Sequence, residues 1–159
     1  MSIVAAIRPD EWEAPLFLHV LGATVLVGGL VAVLSALAVA WRREGPDAAF
    51  VTRLAYRSFL LAVVPGYVLM RIGAQWTYSR EFGDNVTDPD WVNIGYIAAD
   101  LGGVLLLAAG VLAGLAVRSA RRGDRGRPGL PGRAATVIVA VLIVAYLVAV
   151  WAMTAKPGS

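Results

Sequence analysis

Four long apolar runs, at 15–41, 50–78, 91–117 and 134–154, take up nearly two-thirds of this 159-residue chain. Each exceeds the ~20 residues that carry a helix across a ~30 Å hydrocarbon layer, so the bilayer is the solvent that shaped the sequence. The expected fold class is all-α, a four-helix transmembrane bundle forming one integral-membrane domain over 1–159. Hydrophobic residues make up 58% and charged ones 16%, against about 25% charged in ordinary soluble domains, which leaves little for a water-soluble domain. The opening segment lacks a basic stretch and carries Asp10, Glu11 and Glu13 before the first run, so it does not read as a cleaved signal peptide. Without cysteine, disulfides, thiolate metal sites and thiol catalysis are excluded together. Ala, Val, Gly and Arg are abundant and Lys is scarce. That balance looks bacterial, which points to a bacterial cytoplasmic membrane and makes the Asn85-Val86-Thr87 sequon coincidental.

Short loops rich in Arg stay on the cytoplasmic side, while acidic residues count for little. The first connection carries Arg42 and Arg43, with Arg53 and Arg57 just inside the next run. The third, RSARRGDRGRPGLPGR, carries Arg118, Arg121, Arg122, Arg125, Arg127 and Arg133, and its Gly and Pro predict a flexible, non-helical link. The second, SREFGDNVTDPD, sets Arg80 against Glu81, Asp84, Asp88 and Asp90. Both termini are therefore expected on the outer side. Trp12, Trp76, Trp91 and Trp151 mark the outer rim and Trp41 the inner one, where an indole ring is buried and its N–H stays wet. Anionic lipid of the inner leaflet accounts for the clustered arginines, so the expected partner is membrane lipid and no nucleic acid.

Lipid tails compete equally for apolar side chains, so close backbone approach at small residues holds spans together. Gly28, Ala32, Ala36 and Ala40 in the first run, and Gly103, Gly110 and Gly114 in the third, are the expected contact stripes. The fourth run is mostly Val, Leu and Ile with Tyr146 as its obvious inner polar group, and its apolar surface permits a homodimer or a partner in a membrane complex. Pro65 removes one backbone donor and should bend the second helix.

Ionisable side chains inside spans cost about 2.5–3.5 kcal/mol each on insertion scales and usually face the protein interior. At ~1.5 Å per residue from the outer rim, His19 lies about one turn deep, Arg71 about two and Asp100 between about two and three. Helical spacing puts Tyr67, Arg71, Gln75 and Tyr78 on one face and Tyr96, Asp100 and Gly103 on another. The expected construction is a polar cleft open to the outside, lined by His19, Tyr67, Arg71, Gln75, Tyr96 and Asp100. Gly103 and Gly22 would leave space beside the carboxylate and the imidazole. Arg71 and Asp100 serve equally well as a structural ion pair between the second and third helices, because each charge needs a partner in low dielectric. Arg53 and Arg57, near the inner rim, can snorkel to water.

His19 is the only histidine, and neutral imidazole can ligate a metal such as haem iron or copper, move a proton, or donate a hydrogen bond. One histidine cannot make a bis-histidine haem site. A His/Met pair would need Met70 or Met153, of which Met153 lies nearer the outer rim. The stretch LFLHVLGATVLVGGLVA sets histidine before a small residue and a glycine pair. It resembles the first span of small bacterial membrane families around the copper-resistance protein D domain and the HemJ-type protoporphyrinogen oxidases. The ending VWAMTAKPG resembles an actinobacterial integral-membrane family of unknown function. The resemblance implies a four-span layout and makes His19 a candidate haem or copper ligand. Lacking a second histidine and any methionine cluster, the chain departs from these families in what metal transport and porphyrinogen oxidation require.

No phosphate-binding glycine loop, GxSxG or histidine pair at metal-ligand spacing offers a soluble-enzyme alternative. The acidic loop with Asp84, Asp88 and Asp90 lacks the ligand order and terminal glutamate of an EF-hand. A conduction path along Tyr67, Arg71, Gln75 and Asp100 would stop at the Leu, Val and Pro between Arg57 and Tyr67. The expectation is a small polytopic membrane protein, leaning away from an enzyme, whose outer-leaflet cleft binds a small ligand, haem or a lipid headgroup. The alternative is a non-catalytic scaffold or accessory subunit in which Arg71 and Asp100 form a structural pair.

Overall fold

The computed structural model describes residues 13–81, 90–122 and 127–155. Helix α1 spans Glu13–Arg42, α2 Gly45–Ser58, a π-helical turn Phe59–Val63, α3 Val64–Glu81, α4 Asp90–Arg122 and α5 Gly129–Ala155. The π turn joins α2 to α3 as one continuous span, so the described residues hold four helices long and apolar enough to cross a membrane. Among the described residues there is no strand. Hydrocarbon offers no water to backbone N–H and C=O groups, and a helix pairs them within its own segment. The protein is thus a multi-pass helical membrane bundle. Trp12, Asp84, Asp88, Arg125 and the acidic opening segment lie outside the described residues, as do the side chains of Asp90 and Trp91.

The helices pack unevenly. α1 lies along α3, α4 lies along α5, and α2 bridges α1 and α4, whereas α3 and α4 scarcely approach each other. Near the arginine-rich end the bundle is closed, with Ala55, Phe59 and Val63 buried against Leu30, Val33 and Leu37. Thr52 is buried there too, and its hydroxyl donates to the Ala48 carbonyl at 2.8 Å. At the other end α3 and α4 diverge, while the two helix pairs remain joined through α1 and α5.

Glycine sets the α1–α3 distance. Gly22 rests on the Met70 backbone and Gly73 on the His19 backbone, and a Cβ at Gly66 would come within 2.7 Å of the Leu26 amide nitrogen. The stripe expected from the first run holds only in its second half: Ala40 is buried and Ala36 packs on the core, but Gly28 and Ala32 are exposed, and nothing lies within 4 Å of a Cβ at Gly28. Small residues on both partners decide which face wins, and Gly66 and Gly73 answer Gly22. The α4 stripe does face the second span, with Gly103, Gly110 and Gly114 receiving Tyr67, Phe59 and Tyr56 in turn.

Pro65 acts through the turn ahead of it. Its ring cannot donate to the Leu61 carbonyl and crowds it, and the ladder widens just upstream, where the Val64 N–H reaches back to the Phe59 carbonyl. The third link is more helical than its Gly and Pro suggest. α5 already begins at Gly129, whose φ of 62° suits glycine, and Pro131 falls in the first turn, where no N–H is needed. Arg127 pairs with Glu44 at 2.6 Å, fastening this link to the α1–α2 turn. Trp41 departs from the wet-rim expectation. Its indole N–H is buried without a hydrogen-bond partner among the described residues, and the Arg133 guanidinium lies 4.7 Å from the centre of its ring.

Candidate functional site

Where α3 and α4 diverge, long side chains reach across. Arg71 Nη2 meets Asp100 Oδ1 at 2.8 Å, and the Tyr67 hydroxyl donates to the Ala99 carbonyl at 3.0 Å. The Tyr96 hydroxyl donates to Gln75 Oε1 at 3.3 Å, and the Tyr78 and Tyr96 rings meet edge to face at 5.5 Å. The Arg71 guanidinium also lies 5.6 Å from the centre of the Tyr96 ring. The Asp100 side chain is 63% exposed against 30% for Arg71, so the carboxylate sits on the outer surface of the bundle and the guanidinium reaches out to it.

Behind this polar seam lies a cavity of about 270 Å³ whose walls are mostly Leu, Ala, Val and Met. Its polar lining includes His19, Arg71, Tyr96 and Tyr146. His19 Nδ1 lies 3.0 Å from the Met70 carbonyl, which can only accept, so Nδ1 carries the proton and Nε2 is left for another partner. That bond crosses the glycine seam between α1 and α3, which fixes the ring. Tyr146 is 4% exposed, and its hydroxyl is lodged against Gly102 with no hydrogen-bond partner among the described residues. Leaving a buried hydroxyl unpaired costs about 1–3 kcal/mol.

His19, Arg71 and Tyr96 share the cavity, whereas Tyr67, Gln75 and Asp100 build the seam in front of it. The two glycines expected to leave space do not: the Tyr67 hydroxyl fills the room at Gly103, and the α3 backbone fills that at Gly22. Tyr146, Met153, Thr77 and Tyr78 line the cavity without having been among the candidate site residues. Tyr146 had a signal as the inner polar group in a Val, Leu and Ile helix, Met153 as a possible partner of His19 and Tyr78 as a member of the Arg71 face; Thr77 had none.

Met153 shares the cavity with His19, but among the described residues no group of three or more His, Cys, Asp or Glu side chains gathers as a metal site. A cavity of this size falls just below the ~300–1,000 Å³ of typical small-molecule sites.

Fold and site together define a class, the multi-pass helical membrane proteins. No protein-family model, curated protein or solved structure matches this chain. The resemblance to known families therefore rests on the residues at 16–32 and 150–158 alone.

Proposed function

We propose that this protein binds a mainly apolar molecule with a hydrogen-bonding head group in the cavity, admitting it from the bilayer through the gap between α3 and α4. One observation carries this reading: Tyr146 and His19 line the same cavity, and the buried Tyr146 hydroxyl has no hydrogen-bond partner among the described residues. Tyr146 offers a donor and His19 Nε2 an acceptor, so a ligand hydroxyl, as in a prenyl alcohol or a hydroquinone, would satisfy both. Asp100 neutralises Arg71, which favours a neutral head over an anionic one. If the arginine-rich end faces the cytoplasm, both termini and the cavity belong to the outer side of a bacterial cytoplasmic membrane.

The test is organic extraction of protein purified in mild detergent, followed by mass spectrometry. A hydroxyl-bearing lipid should be recovered near one per chain. Tyr146→Phe should lower its occupancy about five-fold, the worth of one hydrogen bond, and Ala149→Phe, which fills the cavity, should abolish it. Equal recovery from wild type and the filled variant would contradict the reading.

The 2.8 Å Arg71–Asp100 contact supports a second reading, in which the pair is a helix clamp in a scaffold or accessory subunit, alone, as a homodimer or in a membrane complex. The exchange Arg71→Asp with Asp100→Arg separates the two. A pure clamp survives the exchange with partner assembly intact, whereas a ligand site whose wall includes Arg71 loses its ligand.

A further inference from the structure

At the arginine-rich end, away from the cavity, α4 presents a second construction. Gly110, Gly114, Arg118 and Arg121 follow one another at i, i+4, i+8 and i+11, which places them along one face. With Tyr56 of α2 they line an open groove of about 420 Å³, whose remaining walls include Val111 and Leu115. Missing side chains at the two glycines make its trough. The Phe59 ring lies across Gly110, and a Cβ at Gly114 would sit 3.6 Å from the Tyr56 hydroxyl.

The polar groups at its mouth are uncommitted. Elsewhere at this end, Arg43 pairs with Asp47, Arg127 with Glu44, and Arg133 stacks on Trp41. Among the described residues, Arg118 and Arg121 form no ion pair, the Tyr56 hydroxyl makes no hydrogen bond, and no acidic side chain lines the groove. From Gly110 to Arg121 the stripe runs about 16 Å at the helical rise, close to one leaflet of a ~30 Å hydrocarbon layer. Cations at the boundary, a free hydroxyl a turn deeper and an apolar trough beneath match a phospholipid from phosphate to acyl chain. Guanidinium favours phosphate through paired, charge-assisted hydrogen bonds. Two uncompensated cations would repel the ammonium of a choline headgroup.

We propose that this groove is a binding site for one anionic phospholipid, its phosphate held by Arg118 and Arg121, its glycerol ester by the Tyr56 hydroxyl, and an acyl chain lying over Gly114 and Gly110. The site stands independently of the cavity and of whatever occupies it.

The experiment is native mass spectrometry of the full chain in a non-ionic detergent, titrated with dioleoylphosphatidylglycerol or dioleoylphosphatidylcholine. Wild type should retain one phosphatidylglycerol with about ten-fold preference, in line with the attraction of basic residues to anionic lipid. Arg118→Gln with Arg121→Gln should reduce that preference to less than about two-fold, since both charge-assisted contacts go. Tyr56→Phe should weaken retention about five-fold through one lost hydrogen bond. Arg42→Gln with Arg53→Gln removes the same charge from exposed positions outside the groove and should leave the preference intact. Three results would overturn the proposal: no preference in wild type, equal losses in the two double variants, or displacement of the lipid by free glycerol 3-phosphate at equal concentration. The four arginines are all exposed, so their replacement leaves the buried core untouched.

Discussion

Helix α3 has two neighbours and meets them in opposite ways. Against α1 it presents Gly66 and Gly73 to Gly22 and the His19 backbone, and the two main chains touch. Against α4 the main chains stand apart, and Arg71, Tyr67 and Tyr96 span the interval to Asp100, Ala99 and Gln75. Small residues bring helices together and leave no room between them, whereas long polar side chains hold helices at a distance and keep space behind the bridge. The first seam fixes the His19 ring against α3, and the second leaves the cavity behind its bridging side chains.

The largest expected effect comes from filling the tight seam. Gly73→Leu drives a side chain into the His19 backbone, and overpacking of this kind costs about 3 kcal/mol or more when backbone must move. Thermal unfolding in detergent should show most of the folded population lost. Gly28→Leu, at a site with nothing within 4 Å, should stay within about 0.5 kcal/mol of wild type. Equal damage from the two would erase the distinction between the seams.

Next comes the bridged seam. Arg71→Ala strands the Asp100 carboxylate at the bundle surface, an expected loss of about 2 kcal/mol, somewhat under the full insertion cost of a charge because Asp100 is already largely exposed. The double variant Arg71→Ala with Asp100→Ala should recover most of it, and a thermal-melt cycle over the four proteins measures the coupling.

His19→Phe breaks the bond to the Met70 carbonyl, and its melting point should fall by the equivalent of about 1 kcal/mol. Ligand occupancy should fall with it. Tyr146→Phe gives the smallest shift and the most telling one. Removing an unpartnered hydroxyl should leave ligand-free protein as stable as wild type or more so by about 1 kcal/mol. The stabilisation that ligand confers should shrink in the same variant. Separate melts of delipidated and lipid-loaded protein distinguish the two effects.

Much of this architecture was legible in the chain. Four runs of bilayer length announced the spans, and intramembrane charge singled out Arg71 and Asp100. Rotation about each helix axis was harder to read. A helix apolar on every side carries no periodic cue to its buried face, so Gly28 looked as good a contact as Gly22, and only the matching glycines of α3 decide between them. The same ambiguity hid that Asp100 turns outward. Tyr146 was visible as an isolated polar group, but its lack of a partner depends on Gly102 and on the spread of α3 from α4, which no single run contains. Pro65 correctly marked the irregular segment; its resolution as a π turn depends on how the freed carbonyl is rehoused.

The most direct test is an experimental density map of the protein in lipid, at a resolution that shows the Tyr146 hydroxyl. The account predicts non-protein density within hydrogen-bonding distance of both that oxygen and His19 Nε2, continuous with the gap between α3 and α4. A collapsed interior, in which Tyr146 donates to a protein carbonyl and α3 meets α4 directly, would contradict it.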